Sequence, residues 1–304
     1  MNIFITGATG YVGGAVALHL LQAGHRIRGL VRDMSKAQRL RELGIEPVHG
    51  NLDDSALLMQ EAQAADAVIN CASSDHREAI ESLLTGLRGS GKPLLHTSGS
   101  SQIGDAAAGN SLNEQIYDEE TPLVVDEGKR ARYELDRRIL AAQGVRGIVI
   151  CNTLIYGTGK GLHADSVQIP ALADQARASG VVQIVGAGLN RWSTVHIDDV
   201  CTLYQLALEQ APAGAFYFAE NGEAAFAGIA AAISKRLGIA GIEHLTEEQA
   251  IAIWGVNRAR YSLGSNSRAR AIRARKELHW QPRHTSVVQW IEEDMAIGNG
   301  AAAS

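Results

Sequence analysis

The sequence predicts an α/β fold in which a doubly wound parallel sheet is followed by a smaller, mostly helical C-terminal lobe. Three observations lead to this prediction. Short β-branched runs alternate with helical patterns over residues 1–156, each strand run is almost wholly apolar, and helices dominate after Gly157. Such alternation is typical of parallel strands joined by crossover helices, and apolar strands indicate a sheet that is covered on both faces.

The strands of the first half are short, and most of them lead into a turn or a helix start. They are predicted at Asn2–Thr6, Arg26–Val31, Glu46–Val48, Ala67–Asn70, Pro93–Thr97 and Gly147–Cys151. Helices are expected to begin near Gly10, Ser35, Ser55, His76 and Asp126. Several of these positions offer the Ser or Asp side chain that commonly caps a helix.

The second half is predicted to be mainly helical. Helices are expected at Val167–Ala178, Asp198–Gln210, Ala225–Leu237, Glu247–Ile253, Arg268–Leu278 and Val287–Met295, with brief strands at Val182–Val185 and Ala215–Phe218. We assign residues 157–297 to a smaller substrate-binding lobe and expect 190–220 to pack back on the first domain. No Pro-, Gly- or Ser-rich linker separates the halves, so they should share a cleft. The tail 298–304 is expected to be disordered.

Composition and charge exclude several classes of protein. The chain has 304 residues, of which 46% are hydrophobic and 20% charged, as in an ordinary globular protein. Its net charge of −5 argues against nucleic acid or an anionic membrane as the partner. No apolar run reaches the ~18 residues that span a bilayer. The first residues also predict a strand rather than a signal peptide, so a cytoplasmic protein is expected. We expect it to be a monomer or a homodimer.

A glycine-rich turn follows the first strand and opens the first helix. Its sequence, TGATGYVG, places Gly7, Gly10 and Gly13 in a G-x-x-G-x-x-G pattern. The first glycine suits a tight turn, the second a close approach of phosphate to the backbone, and the third close packing of helix on strand. Free N–H groups at the helix start would face a pyrophosphate. The alternative is a turn without a ligand, but the strand and helix on either side favour a Rossmann-type dinucleotide-binding domain over residues 1–156.

Six motifs in the same order resemble the short-chain dehydrogenase/reductase superfamily, in its extended or atypical branch of NAD-dependent epimerases and dehydratases. Besides the glycine turn, they are GNLD (50–53), AVINCA (67–72), HTSGSSQIG (96–104), LIYGTGKG (154–161) and WSTVHIDDV (192–200). The resemblance implies a nicotinamide dinucleotide held by Gly7, Thr9, Gly10, Tyr11, Val12, Asn51, Leu52, Cys71, Ala72, Ser73, Thr97, Asn152 and Ile155. It leaves the reaction open, because this fold hosts many chemistries.

The end of the second strand indicates which nicotinamide cofactor binds. An acid that holds the adenosine ribose is usual in NAD enzymes, but Val31 occupies that place and Arg32 follows. A guanidinium with the nearby ammonium of Lys36 suits a 2′-phosphate, so NADP(H) is favoured. NAD remains the alternative if Asp33 binds the ribose instead.

The catalytic tyrosine and lysine that the family resemblance implies are not both present. In one register Tyr133 is the proton donor, and Arg137, four residues later, stands in for the lysine on the same helix face. In the other register, Gly128 takes the tyrosine position and Arg132 the lysine position, so the tyrosine is missing. Spacing alone does not choose between them, because residues 105–118 include an insertion that could form a loop over the cleft.

The family's catalytic serine falls on Gly99. Ser98 or Ser100, on either side of it, could supply the hydrogen bond, or these hydroxyls could simply close a strand-end turn.

Candidates for the substrate side are fewer. Tyr156, His163 and Trp192 lie where substrate contacts are expected from the resemblance. No metal site is expected, because His196 and Asp198 fit the entry and first turn of a helix better than a ligand set.

Three functions are compatible with these patterns. An NADPH-dependent reductase of a small carbonyl substrate is favoured. A catalytically degenerate NADP-binding sensor would explain the missing tyrosine and serine. An NAD-dependent sugar epimerase or dehydratase would need an intact base, which the sequence does not offer in the usual place.

Overall fold

The computed structural model describes residues 1–297, so the tail predicted to be disordered at 298–304 lies outside the described residues. The strands of the first half are β1 (Asn2–Thr6), β2 (Arg26–Val31), β3 (Glu46–His49), β4 (Ala67–Asn70), β5 (Pro93–Gly99) and β6 (Arg146–Asn152). The helices between them are α1 (Tyr11–Gln22), α2 (Met34–Glu42), α3 (Ser55–Ala64), α4 (Arg77–Leu87) and α5 (Arg130–Leu140).

The second half contains more strands than the sequence predicts. Its strands are β7 (Leu154–Tyr156), β8 (Val182–Val185), β9 (Arg191–His196), β10 (Ala215–Ala219), β11 (Glu223–Ala225) and β12 (Ile242–Leu245). Its helices are α6 (Gln168–Ser179), α7 (Ile197–Gln210), α8 (Phe226–Leu237), α9 (Glu247–Trp254), α10 (Val256–Arg258), α11 (Ile272–Glu277) and α12 (Val287–Glu293), with a π-turn at Ala259–Leu263. Among the described residues, no helix combines the length and apolarity needed to cross a bilayer.

A seven-stranded sheet forms the centre of the larger domain. Its strand order is β10-β6-β5-β4-β1-β2-β3, and every neighbouring pair is parallel. The α/β fold with a doubly wound parallel sheet is thus confirmed. The order reverses between β1 and β4, and in such sheets ligands bind in the crevice outside the carboxyl ends of the strands at this point.

Both faces of the sheet are covered, which explains why its strands are apolar throughout. Along β1, Ile3 and Ile5 belong to one hydrophobic cluster, whereas Phe4 belongs to the cluster on the opposite face. The same alternation separates Ile69 from Val68 in β4. Successive side chains of a strand point to opposite faces, so each strand contributes to two cores.

The smaller lobe has a core of its own. Trp192, Phe226 and Ile291 belong to a third cluster, which β7, β8, α6, α8 and α12 also supply. Two elements from 190–220 contact the larger domain instead: α7 packs against α1, and β10 pairs with β6 as the edge of the main sheet.

The helix predicted at Arg268–Leu278 is wrong in its first turn. Residues before Ile272 are extended because their backbone pairs with the insertion: Tyr117 N donates to Arg268 O at 2.9 Å, and Arg270 N donates to Tyr117 O at 2.8 Å. The insertion therefore lies along the C-terminal segment, and residues 105–118 contribute nothing to the lining of the cleft cavity. Their Gly109 N also donates to Gly264 O at 2.7 Å.

Glu119 stabilises the packing of the insertion along the C-terminal segment, so its removal should destabilise the protein. Its carboxylate accepts hydrogen bonds from the backbone N–H of Phe218, Ile272 and Arg273, at 3.0, 3.1 and 3.1 Å. Glu119→Ala should lower the free energy of unfolding by about 2–4 kcal/mol, because donors lose a charged acceptor. Urea denaturation measures this. The exposed neighbour provides the control, since Glu120→Ala should change the free energy of unfolding by less than about 0.5 kcal/mol. Equal losses of stability in both variants would refute the stabilising role of the Glu119 carboxylate.

Candidate functional site

The glycine turn has the shape that a dinucleotide phosphate requires. Gly7 adopts a left-handed φ of +77°, and a Cβ there would lie 2.7 Å from the backbone N of Ala72. A Cβ on Gly13 would overlap the carbonyl oxygen of Gly7, so only glycine lets α1 lie this close to β1. No side chain caps the start of α1. The first N–H groups of the helix are therefore free to bind an anion.

A cavity of about 350 Å³, called the adenosine cavity below, extends from this turn toward β2. It brings together most of the residues expected to hold the adenosine half of a cofactor. It also includes three that were not expected, namely Leu30, Asp53 and His76. The lining residues are Gly7, Thr9, Gly10, Leu30, Arg32, Asn51, Leu52, Asp53, Cys71, Ala72 and His76. The residues present thus fit a bound dinucleotide at both its phosphates and its adenosine.

Arg32 lies in this cavity, whereas the carboxylate of Asp33 is engaged elsewhere. Asp33 caps α2 by accepting hydrogen bonds from Ser35 N at 2.9 Å and Ser35 Oγ at 2.8 Å. These bonds to Ser35 lower the pKa of the Asp33 carboxyl. A carboxylate that already holds a helix start is less available to a ribose. Lys36 is exposed on α2 and is not among the lining residues.

The larger cavity, of about 790 Å³, lies in the cleft between the two lobes. From the larger domain it takes Tyr11, Val12, Asp75, Thr97–Ser101, Lys129, Arg132, Asn152, Thr153 and Ile155, and from the other side Ser166–Gln168, Trp192, Trp254–Arg258 and Ser262. Of the residues proposed from sequence, it unites Tyr11, Val12, Thr97, Ser98, Ser100, Asn152, Ile155 and Trp192. Its position beside the glycine turn is where the nicotinamide half would reach.

The geometry of α5 matches the second of the two sequence registers. Arg132 lines the cleft, whereas Tyr133 lies half-buried outside it and Arg137 is exposed. A side chain at Gly128 would overlap the hydroxyl of Tyr261, which reaches over from the π-turn. In this register, a residue of the smaller lobe lies in the space beside the tyrosine position, and Arg132 takes the lysine position.

Ser98 and Ser100 direct their hydroxyls away from the open cleft. Ser98 Oγ donates to the buried Asp136 Oδ2 at 2.6 Å, and Ser100 Oγ bonds to Ser267 Oγ at 2.8 Å. A Cβ on Gly99 would instead lie 3.3 Å from Arg132 Nη1. The hydroxyl that meets this guanidinium belongs to Ser101, which the sequence analysis missed: Arg132 Nη1 donates to Ser101 Oγ at 3.1 Å.

Arg132 is held in place by Asp75. Its Nε and Nη2 donate to the two carboxylate oxygens at 2.8 and 2.7 Å, which is a bidentate pair. The hydrogen bond from Arg132 lowers the pKa of the Asp75 carboxyl against the opposing effect of burial. The guanidinium is thus fixed, with its remaining edge directed to Ser101 and the cleft.

Behind the cleft, two titratable groups face each other in the core. His96 Nε2 lies 3.5 Å from Asp136 Oδ1, and both side chains are almost wholly buried. Burial raises the pKa of Asp136 to about 7, although hydrogen bonds from Ser98 and Gln102 oppose the shift. Burial also lowers the pKa of His96 to about 3.

Lys129 is a further cleft residue that the sequence analysis did not single out. It is only 9% exposed, and its Nζ donates to Asn257 Oδ1 at 3.2 Å and lies 4.4 Å from the centre of the Tyr261 ring. The signal that could have found it is its spacing of three residues from Arg132, which is the spacing of neighbours on one helix face.

Some residues expected on the substrate side lie elsewhere. Tyr156 borders a separate cavity of about 210 Å³ beside His196 and His284, and His163 is exposed. Ser73, which was expected to bind the cofactor, lines neither the cleft cavity nor the cavity beside the glycine turn.

One group of side chains has the composition of a metal site. Ligand atoms of His196, Asp198 and His284 lie within 4.8 Å of one another. His196 Nδ1, however, caps α7 by accepting from Asp198 N at 3.2 Å, and His284 Nδ1 contacts Asp199 at 3.1 Å. The ring centroids of the two histidines lie 3.9 Å apart in a stack, and the Nδ1 atom of each already has a structural role.

Comparison with known proteins places the chain among relatives of the same fold. A model of the NAD dependent epimerase/dehydratase family matches residues 3–217. An uncharacterized protein of Schizosaccharomyces pombe is 31% identical over 97% of this chain and 99% of its own length. A 2-alkyl-3-oxoalkanoate reductase of Stenotrophomonas maltophilia is 27% identical over 73% of this chain and 71% of its own.

A solved structure supports the same fold. Crystalline dTDP-glucose 4,6-dehydratase from Bacillus anthracis, in complex with NAD, superposes with a TM-score of 0.76 over 97% of each chain, at 21% sequence identity. The likeness covers both lobes.

The buried pair His96 and Asp136 should give stability two opposing pH dependences. Because the pKa of Asp136 is raised from 3.8 to about 7, the folded protein holds a proton that the unfolded chain has lost, and this contribution weakens as pH rises. The pKa of His96 is lowered from 6.5 to about 3, so its contribution strengthens as pH rises. Between about pH 4 and 6.5 the two should largely cancel.

Single variants should reveal each dependence. As pH rises from about 4.5 to 6.5, the free energy of unfolding of Asp136→Asn should increase relative to that of the unmodified protein. Over the same range, that of His96→Gln should decrease. Both slopes should approach about 1 kcal/mol per pH unit. Urea denaturation at several pH values measures both. Parallel profiles for all three proteins would contradict the shifted pKa values.

Proposed function

Because the chain belongs to the NAD dependent epimerase/dehydratase family, we propose that it is an NADPH-dependent oxidoreductase that reduces a small carbonyl compound. The observation that carries the proposal is the fixed guanidinium of Arg132, which lies with the Ser101 hydroxyl in the cleft cavity that borders the start of α1. A cation and a hydroxyl at this place suit a carbonyl oxygen that gains negative charge. The Stenotrophomonas maltophilia relative is named as a reductase, which agrees with this direction.

NADP(H) is the preferred cofactor because of the charges beside the adenosine cavity. Arg32 lines it, and the competing carboxylate of Asp33 caps α2. A guanidinium can bind a 2′-phosphate through two parallel hydrogen bonds. The solved relative from Bacillus anthracis binds NAD, so the preference rests on this chain's own Arg32.

The chain's own residues would bind and polarise the substrate. When bound, the reduced nicotinamide supplies hydride for the carbonyl carbon. Arg132 would stabilise the negative charge that develops on the carbonyl oxygen, and Asp75 keeps the guanidinium in position. Ser101 Oγ accepts from Arg132 and has no acceptor of its own among the described residues, so its hydrogen can point to the substrate oxygen.

The proton balance follows from this arrangement. The oxygen takes the Ser101 proton as it becomes an alcohol, and the serine oxygen, stabilised meanwhile by Arg132, regains a proton from water. Guanidinium itself does not deprotonate usefully, so its role is electrostatic.

A second candidate is an NADP-binding sensor without turnover. The observation that favours it is that glycine stands at positions 99 and 128, where the family resemblance implies catalytic side chains, and that the Tyr261 hydroxyl lies in the space beside Gly128. Tight cofactor binding without reduction of any carbonyl compound would support this alternative.

Removing Arg32 should change cofactor choice. Arg32→Ala should weaken NADPH binding about 10- to 100-fold, because a charge-assisted pair with the 2′-phosphate is lost, and should leave NADH binding within about threefold. Fluorescence titration with each nucleotide measures the affinities. Arg39→Ala, on the exposed part of α2, is the matched control and should alter neither. Equal affinity of the unmodified protein for both nucleotides would refute the NADP assignment.

Removing Arg132 or the Ser101 hydroxyl should lower turnover rather than cofactor binding. Arg132→Met should reduce kcat about 100- to 1000-fold and Ser101→Ala about 10- to 100-fold, because each removes a group that meets the developing charge. Steady-state reduction of a carbonyl panel and NADPH titration measure the two properties separately. Tyr133→Phe distinguishes the registers: a comparable loss of turnover there would show that Tyr133, not the Arg132 and Ser101 pair, donates the proton.

A further inference from the structure

The wall of the cleft cavity carries more positive than negative charge. Its charged side chains are Lys129, Arg132 and Arg258, against the single carboxylate of Asp75. That carboxylate is already engaged in the bidentate pair with Arg132. The charges of Lys129 and Arg258 are therefore left without a carboxylate on this wall.

Lys129 is the more informative of the two because it is buried. Among the described residues, no carboxylate oxygen lies within 4.0 Å of its Nζ, although Asp126 is only three residues away. Asp126 Oδ1 instead accepts from the Tyr261 hydroxyl at 2.9 Å. The ammonium has one neutral acceptor, Asn257 Oδ1, and the face of the Tyr261 ring.

An ammonium in this setting is costly unless something supplies negative charge. Burial, followed by the nearby Arg132, lowers the pKa of Lys129, and the charges of Asp75 and Asp126 offset only part of this effect. A cation–π contact and one neutral hydrogen bond replace only part of the lost hydration. An anion that enters the cavity would give Lys129 a charge-assisted hydrogen bond and would relieve the repulsion between the two cations.

The position of Lys129 relative to Arg132 gives the anion a chemical context. Both side chains line one cavity and lie three residues apart, at the start of α5 and just before it. A substrate whose carbonyl oxygen meets Arg132 and Ser101 would thus place a nearby substituent against Lys129. Arg258, exposed on the opposite side of the cavity, adds positive charge that attracts an anion.

We propose that the substrate is a carbonyl compound that carries an anionic group, and that Lys129 binds this group. The inference rests on the proposed reductase function and narrows its substrate class. A carboxylate and a phosphate share the required chemistry, and the test below distinguishes them.

The main experiment compares charged and neutral forms of the same carbonyl compound. NADPH-dependent reduction is measured for short 2-oxo and 3-oxo carboxylic acids, for their methyl esters, and for phosphorylated aldehydes and ketones of similar size. The acids or the phosphorylated compounds should have kcat/KM at least about tenfold above the neutral esters. Whichever anionic set is preferred identifies the group. Esters that react as well as both anionic sets would overturn the proposal.

Variants of Lys129 then assign the effect to this residue. Lys129→Met should raise KM for the anionic substrates about 10- to 100-fold while leaving the esters within about threefold, and Lys129→Arg should restore most of the binding. Lys276→Met, at an exposed lysine of α11 outside both the cleft cavity and the cavity beside the glycine turn, is the matched control. Equal effects of Lys129→Met on acids and esters would contradict a specific ion pair.

A binding measurement keeps this inference separate from the reductase proposal. NADPH titration first shows whether each variant is folded and binds cofactor. Calorimetry then measures pentanoate and pentanamide binding to the protein loaded with NADP⁺. If no carbonyl compound is reduced, the reductase function fails, yet tighter binding of pentanoate that is lost in Lys129→Met would still support the anion site. Equal or absent binding of pentanoate and pentanamide, together with no preference for phosphorylated compounds, would refute it.

Discussion

The close approach of α1 to β1 and β4 is the constraint on which the rest of the site depends. Residue 7 must be glycine because its φ is left-handed and because a Cβ would meet the backbone of Cys71 and Ala72, and Gly13 has no room for a side chain against Gly7. The approach brings the helix start to the point where strand order reverses in the sheet. The same turn therefore fixes the phosphate position, the adenosine cavity on one side and the cleft on the other.

Sequence reasoning succeeded where the determining contacts are local. The strands of the first half, their helices and the glycine turn follow from residues within one strand–helix unit, so hydrophobic pattern and turn chemistry predict them. The cleft depends on contacts between distant parts of the chain, such as Tyr261 over Gly128 and Asp75 with Arg132. Spacing within α5 could not choose between two registers, because the choice depends on which residue the smaller lobe meets.

The same reason explains the error at Arg268. Its neighbourhood has a helical composition, but Tyr117, about 150 positions earlier in the sequence, offers a backbone partner that keeps Arg268 and Arg270 extended. Ser101 was missed for a related cause: the sequence shows several hydroxyls near Gly99, and only the fixed position of Arg132 shows which one faces the cleft. Local pattern predicts the elements, whereas non-local pairing selects the residues of the site.

Gly128 and the cleft cation Lys129 both meet the side chain of Tyr261. The Tyr261 hydroxyl occupies the space beside Gly128, so a side chain at 128 would require the Tyr261 side chain to move. That position of Tyr261 also places its ring against Lys129 and its hydroxyl on Asp126 Oδ1, so Asp126 accepts a hydrogen bond from the tyrosine rather than from the lysine. The side chain that meets Gly128 is thus also the one that contacts Lys129 and Asp126. In the proposed reductase, the replacement of the catalytic group and the charge that the cleft accepts therefore both depend on Tyr261.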